Sequence, residues 1–177
     1  VYGHAVPIYA LGSQDPSIDA SAFVHPDAVI IGSVTIGADS SIWPGAVLRG
    51  DDGEIHVGSR TSIQDNCVLH TTPDDHTVVG DRRVIGHLVH LEGCTIESDT
   101  LIGNAAMVLH RSVIRSWAIV AANSVVLYDV DVPSGAIAVG SPAVIKEGRA
   151  RPEMISQAAD NYVARARRFH ADLRRLA

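Results

Sequence analysis

The chain is poor in cysteine, in net positive charge and in long apolar runs. Two cysteines in 177 residues are too few for a disulfide framework. Both are expected to be small buried hydrophobes rather than ligands or nucleophiles. The formal net charge of −6 leaves no basic face of the kind that phosphates demand, which argues against a nucleic-acid partner. No apolar stretch approaches the roughly 18–20 residues of a membrane-spanning helix, and residues 1–12 carry no basic segment followed by a signal-type apolar run. The expectation is a soluble cytoplasmic protein with no membrane partner, long enough for one domain with a real core.

What the chain does have is a ladder. Val24, Ile30, Ile36, Ile42 and Leu48 recur at every sixth position, and the ladder returns at Ile96, Ile102, Val108, Ile114, Val120, Val126, Val132 and Ala138. Four residues after most rungs stands a small side chain: Ala28, Ser40, Ala46, Thr100, Ala106, Ser112, Ala118, Ser124 and Ala136. Cys67 takes this position after Ile63, and Cys94 falls near a corner. A six-residue period suits neither an α-helix nor an uninterrupted alternating strand. It suits a parallel β-helix of hexapeptides, with each rung pointing into a narrow core.

The rungs also locate interruptions. The phase slips by three residues at Asp51-Asp52-Gly53 and resumes at Val57, Ile63 and Leu69. Residues 71–83, with Thr-Thr-Pro-Asp-Asp-His, read as an excursion loop, around which the ladder resumes at Val79, Ile85 and Leu91. Gly140-Ser141-Pro142 closes it. From Pro152 the spacing changes to three and four, through Ile155, Ala159, Tyr162, Ala166, Phe169, Leu173 and Leu176, with Arg165, Arg168, Arg174 and Arg175 opposite. Proline suits a first helical turn, so residues 151–177 are expected to form an amphipathic helix packed on a β-helix domain of residues 1–150.

A coil of three hexapeptide faces returns to the same corner after about 18 residues. Leu69 and Leu91 are rungs 22 residues apart, one coil plus a four-residue loop, so His70 and Glu92 are expected to stack on adjacent coils. His87 follows Ile85 by two and belongs to another column. In one subunit the three diverge; in a trimer, His87 of one chain could meet His70 and Glu92 of the next, a two-histidine, one-carboxylate set that suits zinc with an open position and also ferrous iron.

Arg49-Gly50-Asp51, Gln64-Asp65-Asn66, His70, Ile85-Gly86-His87 and Gly93-Cys94-Thr95-Ile96 together resemble the γ-class carbonic anhydrases, a family of hexapeptide-repeat proteins. The resemblance runs from about residue 12 to 146, and Asn161-Tyr162-Val163 looks familial too. It implies a left-handed β-helix with a C-terminal α-helix, assembled as a homotrimer with a metal at each subunit interface held by three histidines. Here Glu92 stands where the family has its third histidine. His90 is the alternative, but it falls five after Ile85, in a different column, so Glu92 is preferred. A carboxylate ligand removes one unit of the metal's charge and leaves bound water less acidic, so carbon dioxide hydration is less certain than the metal site.

The resemblance further implies that Arg49 and Asp51 form an interfacial ion pair, and that Gln64, placed in the column of His70, holds metal-bound solvent. Asp65, in the column of His87, would pair with a neighbour's Arg49, and Tyr162 would close the cleft. Asp52, Asp74, Asp75 and His76 are candidate proton carriers. His4, His25, His56, His110 and His170 read as solvated surface histidines. The leading expectation is a metalloenzyme that activates water toward carbon dioxide or a small carbonyl or thioester substrate. The alternatives are a non-catalytic binding or assembly protein with a vestigial site and, less favoured, an acyltransferase.

Overall fold

The computed structural model describes residues 6–176, so His4 and the first five residues of the N-terminal segment lie outside the described residues. The ladder winds into a parallel β-solenoid of triangular section. Ile30, Leu48, Leu69, Leu91, Val108 and Val126 stack on the first face. Ile36, Val57, Val79, Ile96, Ile114 and Val132 stack on the second. Val24, Ile42, Ile63, Ile85, Ile102, Val120 and Ala138 stack on the third. From Ile30 to Ala138 these rungs are at most 2 % exposed and form one continuous core. The small residues that follow them, from Ala28 to Ala136, are equally buried at the corners, where a larger side chain would push adjacent coils apart.

The three-residue slip is a bulge. Gly32 pairs with Gly50 and Val34 with Ile55, so only Ser33 stands opposite residues 51–54. Gly32 and Gly50 cross so closely that a Cβ on Gly32 would lie 2.3 Å from the Gly50 carbonyl oxygen. The excursion loop is shorter than expected. It spans residues 71–76, after which Thr77–Val79 is a paired strand of the second face, because Thr77 and Val79 supply inward side chains that the loop composition obscured.

Arg83 is the anomaly of the interior. It stands four after the rung Val79, where other coils carry Ser40, Thr61, Thr100 or Ala118, and it is wholly buried. Its Nη2 donates to the Ile96 carbonyl at 3.1 Å, while Nε and Nη1 have no partner. Burial pulls the guanidinium down to about 9, against the opposing pull of Asp99 and Asp81.

At the C-terminal end, Ile137–Val139 pairs antiparallel with Val144–Lys146 and covers the last parallel edge. The helix then runs from Pro152 to Asp172 along the third face, burying Ile155, Ala159, Val163 and Ala166. Val163 belongs to its stripe. Leu173 and Leu176 do not, because the helix ends first and leaves them 44 % and 82 % exposed. Arg60 reaches Asp160 at 2.8 Å and Arg167 reaches Asp39 at 3.1 Å. Phe169 packs edge to face on Phe23 and Trp43, which are tilted against each other, with ring separations of 5.0–6.1 Å, and fixes the helix to the first coils.

Replacing Arg83 with Met removes a buried guanidinium whose Nε and Nη1 have no protein partner and is expected to raise the unfolding free energy by about 1–3 kcal/mol in urea denaturation. Glu97 accepts hydrogen bonds from Arg115 Nη1 at 2.8 Å and the Ser116 N–H at 2.9 Å, and these, Arg115 foremost, hold its carboxyl below the usual glutamate range. A depressed folded pKa stabilises the fold above the unfolded value and is lost as pH falls through the folded one. Glu97→Gln is therefore expected to flatten the fall in thermal midpoint between about pH 5 and pH 3.

Candidate functional site

On the first face, the residues on either side of each rung point outward. One outward column is Val47, Val68, His90 and Met107, and the other is Arg49, His70 and Glu92, all held in register by the parallel ladder. The expected stacking of His70 and Glu92 is observed: His70 Nδ1 lies 2.8 Å from Glu92 Oε1. His70 Nε2 lies 3.2 Å from Asp51 Oδ1, a carboxylate delivered by the bulge, and Arg49 pairs with the same Asp51 within the chain. The opposite carboxylate oxygen of Glu92 lies 3.1 Å from His90 Nε2 and 3.7 Å from His110 Nε2. Burial pushes the Glu92 carboxyl up, but the hydrogen bonds of His70 and His90, with the pull of His110, outweigh it and leave it below the usual range. Asp51 is likewise raised by burial and lowered further by its own backbone N–H and by Arg49.

His87 stands at the preceding corner, 45 % exposed at its side chain, with Nδ1 2.9 Å from Asp65 Oδ2. Asp65 thus pairs with His87 of its own chain. Gln64 does not share the column of His70. It lies on the third face between Trp43 and Gly86 and is 3 % exposed, because one hexapeptide carries the chain to a different face. Tyr162 is also remote: its ring packs 6.0 Å from Trp43 beneath Arg165, so it anchors the helix and closes no cleft within this chain. Asp52 and Asp74 are exposed on the bulge and loop. His76 Nδ1 accepts the Glu54 N–H at 2.9 Å, which ties the loop to the bulge.

Three readings of the histidines change. His90 belongs to another column, yet it and Glu92 flank one inward rung and therefore meet on the outer surface. His110 is no surface histidine: it is 16 % exposed at its side chain, stacks on Tyr128 at 5.3 Å and lies 3.6 Å from Asp75 Oδ2. His25 is also largely covered, with its ring 6.3 Å from Phe23. The signal for His110 was Gly93, whose missing side chain lets the ring fold back toward Glu92. A Cβ there would lie 2.8 Å from His110 Nδ1 and 2.7 Å from Asp75 Cβ. Cys67 and Cys94 are buried and their thiols are pushed up to about 12 by that burial, so both are structural.

Residues 15–50 match the bacterial transferase hexapeptide model of six repeats. The chain is 42% identical over 155 residues to γ-carbonic anhydrase 1, mitochondrial, of Arabidopsis thaliana, covering 83% of this chain and 56% of that protein. It is 40% identical over 135 residues to the carnitine operon protein CaiE of Escherichia coli K12, covering 76% of this chain and 69% of that protein. A crystal structure of a hexapeptide transferase family protein from Anaplasma phagocytophilum superposes with a TM-score of 0.87 at 36% identity, covering 92% of this chain and 97% of the other. The chain belongs to the γ-carbonic-anhydrase-like hexapeptide-repeat proteins. It spans little more than half the length of the plant relatives it matches.

Among the described residues of this γ-carbonic-anhydrase-like chain, no three histidine, cysteine or acidic side chains enclose a metal ion. The donor chemistry nevertheless fits a shared site. Asp65 holds His87 Nδ1 and leaves Nε2 outward, the arrangement that orients a metal-binding imidazole, while His70 and Glu92 lie side by side. Such a site needs His87 from a second copy.

Gly93→Ala forces a Cβ against His110 and Asp75 at a φ of +60°. It is expected to cost about 1–3 kcal/mol and to shift the His110 ring resonances, read by thermal unfolding and NMR.

Proposed function

We propose that the chain forms a homotrimer with a divalent metal, zinc or alternatively ferrous iron, shared between subunits. His70 and Glu92 of one copy and His87 of the next would hold it. The observation that carries this reading is the contact of His70 with Glu92 on one column, at 2.8 Å, in a chain about 40% identical to proteins named γ-carbonic anhydrases. The metal would supply a Lewis acid that acidifies water. Asp65 would fix the His87 ring by its Nδ1, and Asp51 would hold His70 by its Nε2, leaving Nδ1, beside Glu92 Oε1, as the nitrogen for the metal. Arg49 keeps Asp51 in place.

Glu92 sets the chemistry apart from a three-histidine site. Its carboxylate reduces the metal's effective charge, so water is acidified less and carbon dioxide hydration is slowed. Hydrolysis of a small carbonyl or thioester substrate, aided by a neighbouring base, suits a two-histidine, one-carboxylate site.

A second reading has its own support. Both oxygens of Glu92 are already engaged by His70, His90 and His110, as expected of a vestigial site in a binding or assembly protein. An acyltransferase reading rests on family names and fold alone.

Metal analysis of the purified protein separates the two main readings. The metalloenzyme reading expects about one zinc or iron per chain, lost in His87→Ala, and an affinity weakened about 10–100-fold in Asp65→Ala. A metal-free native protein in which Glu92→His acquires both zinc and carbon dioxide hydration would establish the vestigial reading instead.

A further inference from the structure

The C-terminal helix runs back along the third face, and its last turns reach the first coil, where Phe169 and His170 pack against Phe23. Two adjoining grooves lie there. The first, of about 370 Å³, separates the first coil from the helix end. Its walls are Val6, Phe23, Val24, Pro26, Phe169 and Leu173, and His170 is its one ionisable side chain among the described residues. The second, of about 340 Å³, shares Pro26 and Leu173 with the first and adds His25, Asp27, Arg174 and Arg175. An apolar trough therefore opens into a chamber where two guanidinium groups face one carboxylate. Leu173, common to both, is 44 % exposed. An apolar concavity with a few polar groups gathered at one end is the usual form of a small-molecule site.

Charge narrows the choice of occupant. Residues 165–175 carry five arginines and one aspartate, +4, in a chain of net charge −6, which leaves −10 on the remainder. Arg167 is committed to Asp39 at 3.1 Å, and Arg168 lies over the Phe169 ring. In the chamber, Arg174 and Arg175 outnumber Asp27 and offset the negative end of the helix. Salt screens charges more than about 8 Å apart, so a small anion in the chamber feels these two arginines more than the acidic body. A bilayer or an acidic polypeptide makes a wider contact, meets that body as well and is repelled by it.

We infer that this end of the molecule binds a single-chain amphiphile with a carboxylate head. The aliphatic chain lies in the trough against Phe23, Phe169 and Leu173, where its burial is favourable in proportion to its apolar area. The head sits at Arg174 and Arg175, since a guanidinium offers a carboxylate two parallel N–H donors. The bound molecule clips the exposed C-terminal segment onto the first coil. The site belongs to the first coil and the helix, whereas His70 and Glu92 lie on later coils of the first face, so it depends on no reading of the metal.

Sodium decanoate below its micellar concentration is the probe, and decyltrimethylammonium presents the same chain with the opposite charge. Isothermal titration calorimetry is expected to give one saturable decanoate site per chain with a dissociation constant below about 1 mM. The cation is expected to bind about tenfold more weakly or not at all. Decanoate is also expected to raise the thermal midpoint of the native chain. Arg174→Glu is expected to weaken decanoate by about tenfold or more, and Leu173→Ser to weaken it severalfold. Both changes lie beyond the helix end and are expected to leave the unliganded melt unchanged. Val144→Glu, 62 % exposed at the other end of the solenoid, is expected to keep the native affinity. The inference is overturned by a native chain with no saturable decanoate binding up to several millimolar, by equal affinity for the two amphiphiles, or by native affinity in Arg174→Glu. Co-sedimentation with phosphatidylglycerol vesicles, without decanoate binding, would assign the surface to a bilayer instead.

Discussion

Everything in this molecule is subordinate to the main-chain hydrogen bonds between successive coils. Because each coil must lie in parallel register on the one before, a residue at a given position has a fixed neighbour above and below. On the inside the constraint produces columns of isoleucine, leucine and valine at near-zero exposure. On the outside it produces columns of whatever the sequence supplies, and on the first face that is Arg49, His70 and Glu92. The site is thus a by-product of stacking, not of a loop closing over a pocket.

This is also why so much could be read in advance. The rungs predicted the three faces, the bulge at residues 51–54 and the meeting of His70 with Glu92, since periodicity reports which residues point in and which coils adjoin. It reports less about neighbours across the surface. Gln64 and His70 both follow a rung by one, yet Ile63 and Leu69 lie on different faces. The period places His90 in a different column from Glu92, although two residues flanking one inward rung share an outer surface. His110 was invisible because its approach depends on a missing side chain at Gly93 and on a coil shortened by one residue, neither of which alters the ladder.

Arg83 marks a second limit. By position it should have been as small as Ser40 or Ala118, and nothing in the period announces that the guanidinium would stay inside with a single bond to the Ile96 carbonyl. The helix shows the reverse case. Its stripe was legible through Phe169, but its end was not, because Leu173 and Leu176 continue a spacing that the backbone has already abandoned. Tertiary contact with Trp43 and Phe23 decides where the useful stripe stops.

The bulge has a consequence for how such a chain can change. Measured from rung to rung on the first face, Ile30 to Leu48 is 18 residues, Leu48 to Leu69 is 21, Leu69 to Leu91 is 22, Leu91 to Val108 is 17 and Val108 to Val126 is 18. All five coils nevertheless stack in register, so an added or deleted residue is absorbed at the corner where it occurs and is not passed on. The scaffold behaves as a spring-bound notebook whose pages differ in width but share one spine. Segments such as residues 51–54 and 71–76 can be lengthened, shortened or exchanged independently, so the surroundings of the Glu92 cluster can diversify while the columns that build it stay fixed.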